Sequence, residues 1–169
     1  MNTVHRELAE RIRGELVDLT AAVQRAGRSW ERAGRVPDEQ DVYLESVALN
    51  LHALYSGLER LFELIARHID GALPAGEGWH HDLLRQMANE IAGVRPAVIG
   101  DQSAQALDEF RRFRHLVRNV YAFNLDPQRM NPLLLALPGA WQQVHAELAA
   151  FAGFLEEVGK GPDCWPGTS

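Results

Sequence analysis

The chain has 169 residues and a mass of 18.9 kDa, the size of one domain with a substantial core. Hydrophobic residues make up 46% and charged residues 24%, which excludes a disordered chain. Lys and Arg total 17 against 23 Asp and Glu, a net charge of -6, so a uniformly basic nucleic-acid coat is excluded while a local basic patch is not.

Cys164 is the single cysteine, which rules out an internal disulfide and a Cys-only metal cage and fits a reducing compartment. The first segment, MNTVHRELAERIRGEL, mixes both charges around no apolar centre and does not read as a signal peptide. No run of about 18 apolar residues is present, so no membrane span is expected. The expected location is the cytoplasm.

Helical spacing dominates from the start. Val4, Leu8, Ile12, Leu16, Leu19, Val23, Ala26 and Trp30 step by three or four and mark one face of a first helix. Gly27 and Gly34 weaken its end and Pro37 stops it. Asp38 is the expected N-cap of a second helix, whose stripe runs Val47, Leu51, Leu54, Leu58, Leu61 or Phe62, Ile65 and Ile69. Asp70-Gly71 closes it, and DGALPAGEG reads as a loop. A third helix is expected from Trp79 to Gly93, edged by Leu83, Leu84, Met87 and Ile91. Residues 94–101 connect it to a fourth, capped by Ser103 and running to Phe123. Two prolines mark 124–132 as a turn. Leu133 to Leu137 is read as a short helical turn before Pro138-Gly139. The last helix then carries Trp141, Val144, Leu148, Phe151, Leu155 and Val158. No segment alternates with period two. The expected architecture is all-α: an antiparallel bundle of four to five main helices over residues 1–158, followed by a flexible tail over 159–169.

The chemically informative stretch is FRRFRHLVRNVYAFNL, Phe110 to Leu125. It holds Arg111, Arg112, Arg114, Arg118 and His115, and no acid. Measured from Arg114 at about 100° per residue, Arg118 falls near 40°, Arg111 near 60°, His115 near 100° and Tyr121 near -20°. These side chains are expected to project as one polar arc, opposite Phe110, Phe113, Leu116, Val117, Val120 and Phe123. Arginine suits phosphate because its planar fork donates parallel hydrogen bonds. Histidine is the residue type suited to moving a proton at neutral pH, which makes His115 a candidate. The arc reads either as a phosphate-binding surface or as a solvated face with salt bridges to Asp108, Glu109 or a neighbouring helix.

The other candidates are weaker. His80 and His81 are consecutive and point to different sides of a helix. His52 and His68 lie far apart on the second helix. Glu59 borders the core at most. No histidine or carboxylate spacing supports a transition-metal site, and no phosphate-binding glycine loop, nucleophile pair or EF-hand loop is present. No metal or cofactor is expected.

Two stretches, NLHALYSGLERLFELIARHIDGALPAGEGWHHDLLRQM and LDEFRRFRHLVRNVYAFNLDP, resemble the HepT-like branch of the HEPN superfamily. The likeness extends from about Leu44 to Val158. It implies a HEPN-like helical bundle that acts as the toxin of a type VII-style two-gene module. Its partner would be a minimal nucleotidyltransferase antitoxin. The implied activity is metal-independent cleavage of RNA at a cleft between the two protomers of a homodimer. The family signature is Arg, four residues, His, any residue, Tyr. Arg114 and Tyr121 match it, and Asn119 stands at the catalytic His position.

An amide does not titrate, so Asn119 is neither a general acid nor a general base. Three outcomes stay open. Asn119 orients RNA while His115 moves the proton; the chain binds RNA with little cleavage; or it is a silent binding partner. On this reading Arg114, Asn119 and His115 are the catalytic candidates, Arg111 and Arg118 bind RNA phosphates, and Tyr121 is the tyrosine that the antitoxin modifies with AMP. The competing classes are a catalytically degenerate module that binds RNA, a nucleotide or a protein, and a plain dimerising bundle. Arg114 and Asn119 lie about 140° apart on an ideal helix, so a site using both needs a groove shared with a second chain, or a bend.

Overall fold

A computed structural model describes residues 2–119 and 125–161, with Arg118 and Asn119 described at the backbone only. Among the described residues five α-helices form the bundle: α1 (Thr3–Arg35), α2 (Gln40–Ile65), α3 (Trp79–Ala88), α4 (Asp101–Asn119) and α5 (Pro127–Gly159). Among the described residues no strand forms; one isolated antiparallel bridge joins Ile91 and Arg95. The all-α expectation holds, and no helix among the described residues is long and apolar enough to cross a membrane.

α1 packs along both α2 and α5, and α4 lies against α2, α3 and α5. The core of α1 is Leu8, Ile12, Leu16, Leu19 and Ala26, as its spacing requires, while Val4 at the helix start stays exposed. Pro37 opens a 3-10 turn, Pro37–Glu39. Asp38 sits inside that turn and is not the cap of α2. α2 is buried on most of its circumference because α1, α3 and α4 all contact it. It runs into a π-helical turn, Ala66–Asp70, that ends at Gly71 with φ 70, a left-handed conformation that glycine adopts without a Cβ penalty.

α3 ends at Ala88, five residues short of the expected Gly93. The stop is electrostatic. Arg95, folded back from the following loop, takes the carbonyls of Gln86 and Asn89 at 3.2 and 2.9 Å and the Asp70 carboxylate at 2.5 and 2.8 Å. Both side chains of this Arg95–Asp70 pair are almost wholly buried. Val98 and Ile99 of the same loop enter the core and donate their amides to the Met87 carbonyl.

α4 starts at Asp101, so Ser103 lies in its first turn. Its hydroxyl and the Gly100 amide both donate to Glu147 of α5, which caps α4 from across the bundle.

The largest departure from expectation is α5. Residues 127–132 and Pro138-Gly139 are not turns but parts of one 33-residue helix. Asp126 accepts the Gln128 amide at 2.9 Å as N-cap, and Pro127 takes the first helical position, where its missing N–H is not needed. Pro132 and Pro138 each forfeit a hydrogen bond, at about 3 kcal/mol. Burial of Met130, Leu134, Leu137, Trp141, Val144, Leu148, Phe151 and Leu155 on one stripe offsets this, at about 1.5–3 kcal/mol per large side chain. At the far end the Gly159 carbonyl accepts the Asn2 amide at 3.2 Å, tying the start of the expected tail to α1. Residues 162–169 of that tail lie outside the described residues.

Candidate functional site

The sequence of α2 puts His52, Ser56 and Glu59 at intervals of four and three, on one helix face. That face meets α4. Arg114 reaches across and grips Glu59 with both ends of its fork, Nη1 to Oε1 and Nη2 to Oε2, each at 3.1 Å. Nη1 also donates to Ser56 Oγ at 3.3 Å. The guanidinium carbon stands 4.7 Å from the centroid of the Tyr55 ring. Burial pushes the Tyr55 phenol up from its ordinary value, and the Glu59 charge adds to this.

α3 closes the cluster from the third side. His80 Nδ1 lies 2.7 Å from Glu59 Oε2, and its ring stacks on Trp79 at 3.7 Å between centroids. Side-chain exposure is 7% for Arg114, 8% for Glu59 and 31% for His80, so the ion pair is sheltered and the imidazole stands at its mouth.

This geometry corrects the expected arc. Arg114 does not project with Arg111 and His115; it turns inward on the stripe Ser103, Leu107, Phe110 and Phe113, all buried. The spacing 103, 107, 110, 114 is itself a core stripe. Leu116, expected among the buried residues opposite, is exposed instead. Arg111 bonds Asp108 at 2.8 Å, and Arg112 pairs with Asp108 at 3.0 Å and Glu109 at 3.9 Å. For these two arginines the salt-bridged face is what forms. His115 lies on the exposed side of α4. Arg118 and Asn119 are described at the backbone only, and Tyr121 lies outside the described residues.

Glu59 and His80 were the residues that sequence reasoning set aside. A signal for Glu59 existed: an acid flanked by Tyr55, Leu58 and Phe62 on a largely apolar helix needs a buried cation, and Arg114 on α4's own apolar stripe is its match. No local pattern pointed to His80, because its role depends on where α3 docks. Among the described residues no group of three or more His, Cys, Asp or Glu could hold a metal ion.

The model of the HepT-like protein family matches residues 46–155, which contain α3, α4 and the whole cluster. The chain belongs to the HepT-like family of HEPN-superfamily toxins. No curated protein and no solved structure matches the chain.

Proposed function

We propose that the chain is the toxin of a type VII-style two-gene module and cleaves RNA without a metal ion, at a cleft completed by a second copy. The observation that carries this reading is family membership over residues 46–155 together with the signature residues Arg114 and Tyr121 in their proper spacing. α4 concentrates Arg111, Arg112, Arg114 and Arg118 in an otherwise acidic protein. Arg111 and Arg118 bind phosphates, Arg111 exchanging Asp108 for the RNA. Arg114 holds the framework of the site through Glu59, and Asn119 offers its amide to the ribose or phosphate. Tyr121 is the acceptor of AMP from a cognate minimal nucleotidyltransferase, its phenolic oxygen displacing pyrophosphate from ATP. The added phosphate and base then compete with RNA for the same arginines.

The test is incubation of the purified chain with RNA in EDTA, alongside induction in a host. Expected are RNA fragments that form despite EDTA, and growth arrest. Intact RNA and normal growth would sink the ribonuclease reading. For the antitoxin, intact mass after co-expression with the neighbouring nucleotidyltransferase is expected to rise by AMP units in the native chain and not in Tyr121→Phe.

A second reading is a degenerate module that binds RNA, nucleotide or protein without cutting. It is favoured by Asn119 at the signature His position and by an Arg114 whose fork is already engaged by Glu59. Asn119→His separates the two: cleavage that rises by about tenfold or more marks a crippled enzyme. A variant as silent as the parent marks a binding module.

A further inference from the structure

We propose that His80, oriented by Glu59, is the proton acceptor that activates the RNA 2′-hydroxyl in this chain, an inference that rests on the ribonuclease reading above. The signature position holds Asn119, whose amide is too weak a base to accept the proton, so any base must come from elsewhere. His80 is the histidine held against the signature arginine. Glu59 Oε2 lies 2.7 Å from His80 Nδ1. Two acceptors do not rest that close together, and Glu59 is already forked to Arg114 as the anion of an ion pair, so we place the proton on Nδ1, donating to the carboxylate. The 3.2 Å approach of Arg114 Nη2 to the same nitrogen is then a contact, because Nδ1 has no lone pair left to accept. That tautomer leaves the lone pair on Nε2.

Nε2 is open. Among the described residues the one buried side-chain polar atom without a hydrogen-bond partner is His5 Nδ1, and the polar contacts of His80 run through Nδ1, not Nε2. It therefore meets solvent at the mouth of the cluster. The charged groups facing the imidazole are Glu59 from α2 and Arg114 from α4, with Trp79 stacked on its ring. Glu59 positions the ring, and the Arg114 fork holds Glu59 in place. A carboxylate, an imidazole and an open nitrogen form the base-and-orienter pair of acid–base catalysis.

The step balances. Nε2 takes the 2′-hydroxyl proton, and the 2′-oxygen forms a bond to the adjacent phosphorus. The bond from phosphorus to the 5′-oxygen breaks, and that oxygen takes a proton from water. The hydroxide left behind removes the proton from the His80 imidazolium. The products are a 2′,3′-cyclic phosphate and a 5′-hydroxyl.

The experiment uses the full chain and a labelled RNA oligonucleotide in EDTA, with His80→Gln, His81→Gln and His115→Gln compared at several pH values. A 2′-O-methyl copy of the oligonucleotide, which lacks the attacking hydroxyl, measures binding alone. Expected for His80→Gln is a fall in cleavage of about 10²-fold or more, unchanged affinity for the 2′-O-methyl RNA, and loss of the rise in rate with pH expected of the native chain. His81→Gln is expected to cleave as the native chain does. Because His80 is partly exposed, His80→Gln is expected to melt with the native chain. A readout independent of that variant is diethyl pyrocarbonate modification of the native protein, mapped by mass: the 2′-O-methyl RNA is expected to protect His80. Cleavage that survives His80→Gln, loss of cleavage in His115→Gln instead, or a His80 left unprotected by bound RNA would overturn the assignment. A native chain that cuts no RNA overturns the ribonuclease reading itself, and this role with it.

Discussion

Arg114 and Glu59 are both nearly buried, so each charge has exchanged water for the other. Removing one partner leaves the other uncompensated, at about 3–5 kcal/mol for a buried pair. His80 stays beside Glu59, so Arg114→Ala is expected near the lower end, a loss of about 3 kcal/mol in urea unfolding. The double variant Arg114→Met/Glu59→Leu is expected to lose less than the single one, since no orphaned charge remains. A loss under about 1 kcal/mol for Arg114→Ala, the range of exposed pairs, would mean the pair is solvated. Tyr55 adds a pH dependence. Its folded pKa is raised by burial, so the fold holds the phenolic proton more tightly than the unfolded chain does. The sign follows: the contribution is full below the unfolded value of about 10 and is lost as pH rises above it. Tyr55→Phe keeps the ring over Arg114 and is expected to flatten the alkaline limb of stability against pH.

α5 shows how a long apolar stripe overrides local breakers. The spacing from Met130 to Leu155 was visible on both sides of Pro138-Gly139, but the two prolines read as boundaries. Their cost is local, about 3 kcal/mol each, while the gain is spread over the length of the helix. A Cβ at Gly139 would meet no atom within 4 Å. Gly139→Ala is therefore expected to stabilise the protein by about 0.5–1 kcal/mol through helix propensity, read as a raised melting temperature. A loss would place Gly139 in a turn. Gly57 in α2 behaves oppositely: an added Cβ would stand 2.5 Å from Leu19 Cδ2, a buried core atom of α1. Gly57→Ala is expected to destabilise, because overpacking at about 1–3 kcal/mol exceeds the propensity gain of up to about 1.

Taken as a whole, the molecule is acidic, and several of the arginines on α4 are already paired with carboxylates. On the proposed function, RNA is therefore expected to bind at a local patch, with Arg111 and Arg118 as its proposed members. If two to four arginines contact phosphates, log affinity is expected to fall with log salt at about -0.7 per contact on single strands. Titrations at several salt concentrations read the slope. A salt-independent affinity would move the RNA site off α4.

Helix number, the faces of α1 and α2, and membership of the HepT-like family followed from the sequence, because helical period and a long matching segment are properties of the chain itself. Arg114 and Asn119, the positions at which the resemblance sets its motif, were equally legible. Which way Arg114 points was not: on α4 it lies at the border of a polar arc and an apolar stripe, and one helix alone does not choose. The choice came from α2, where a buried Glu59 offered the bidentate partner. The place of His80 was decided later still, by a docked α3 whose end is fixed by Arg95 and Asp70. Periodicity fixes which face of a helix is apolar. Pairing of buried charges from separate helices is settled only when those helices meet, because the cost of desolvating each charge is offset by the partner it finds there.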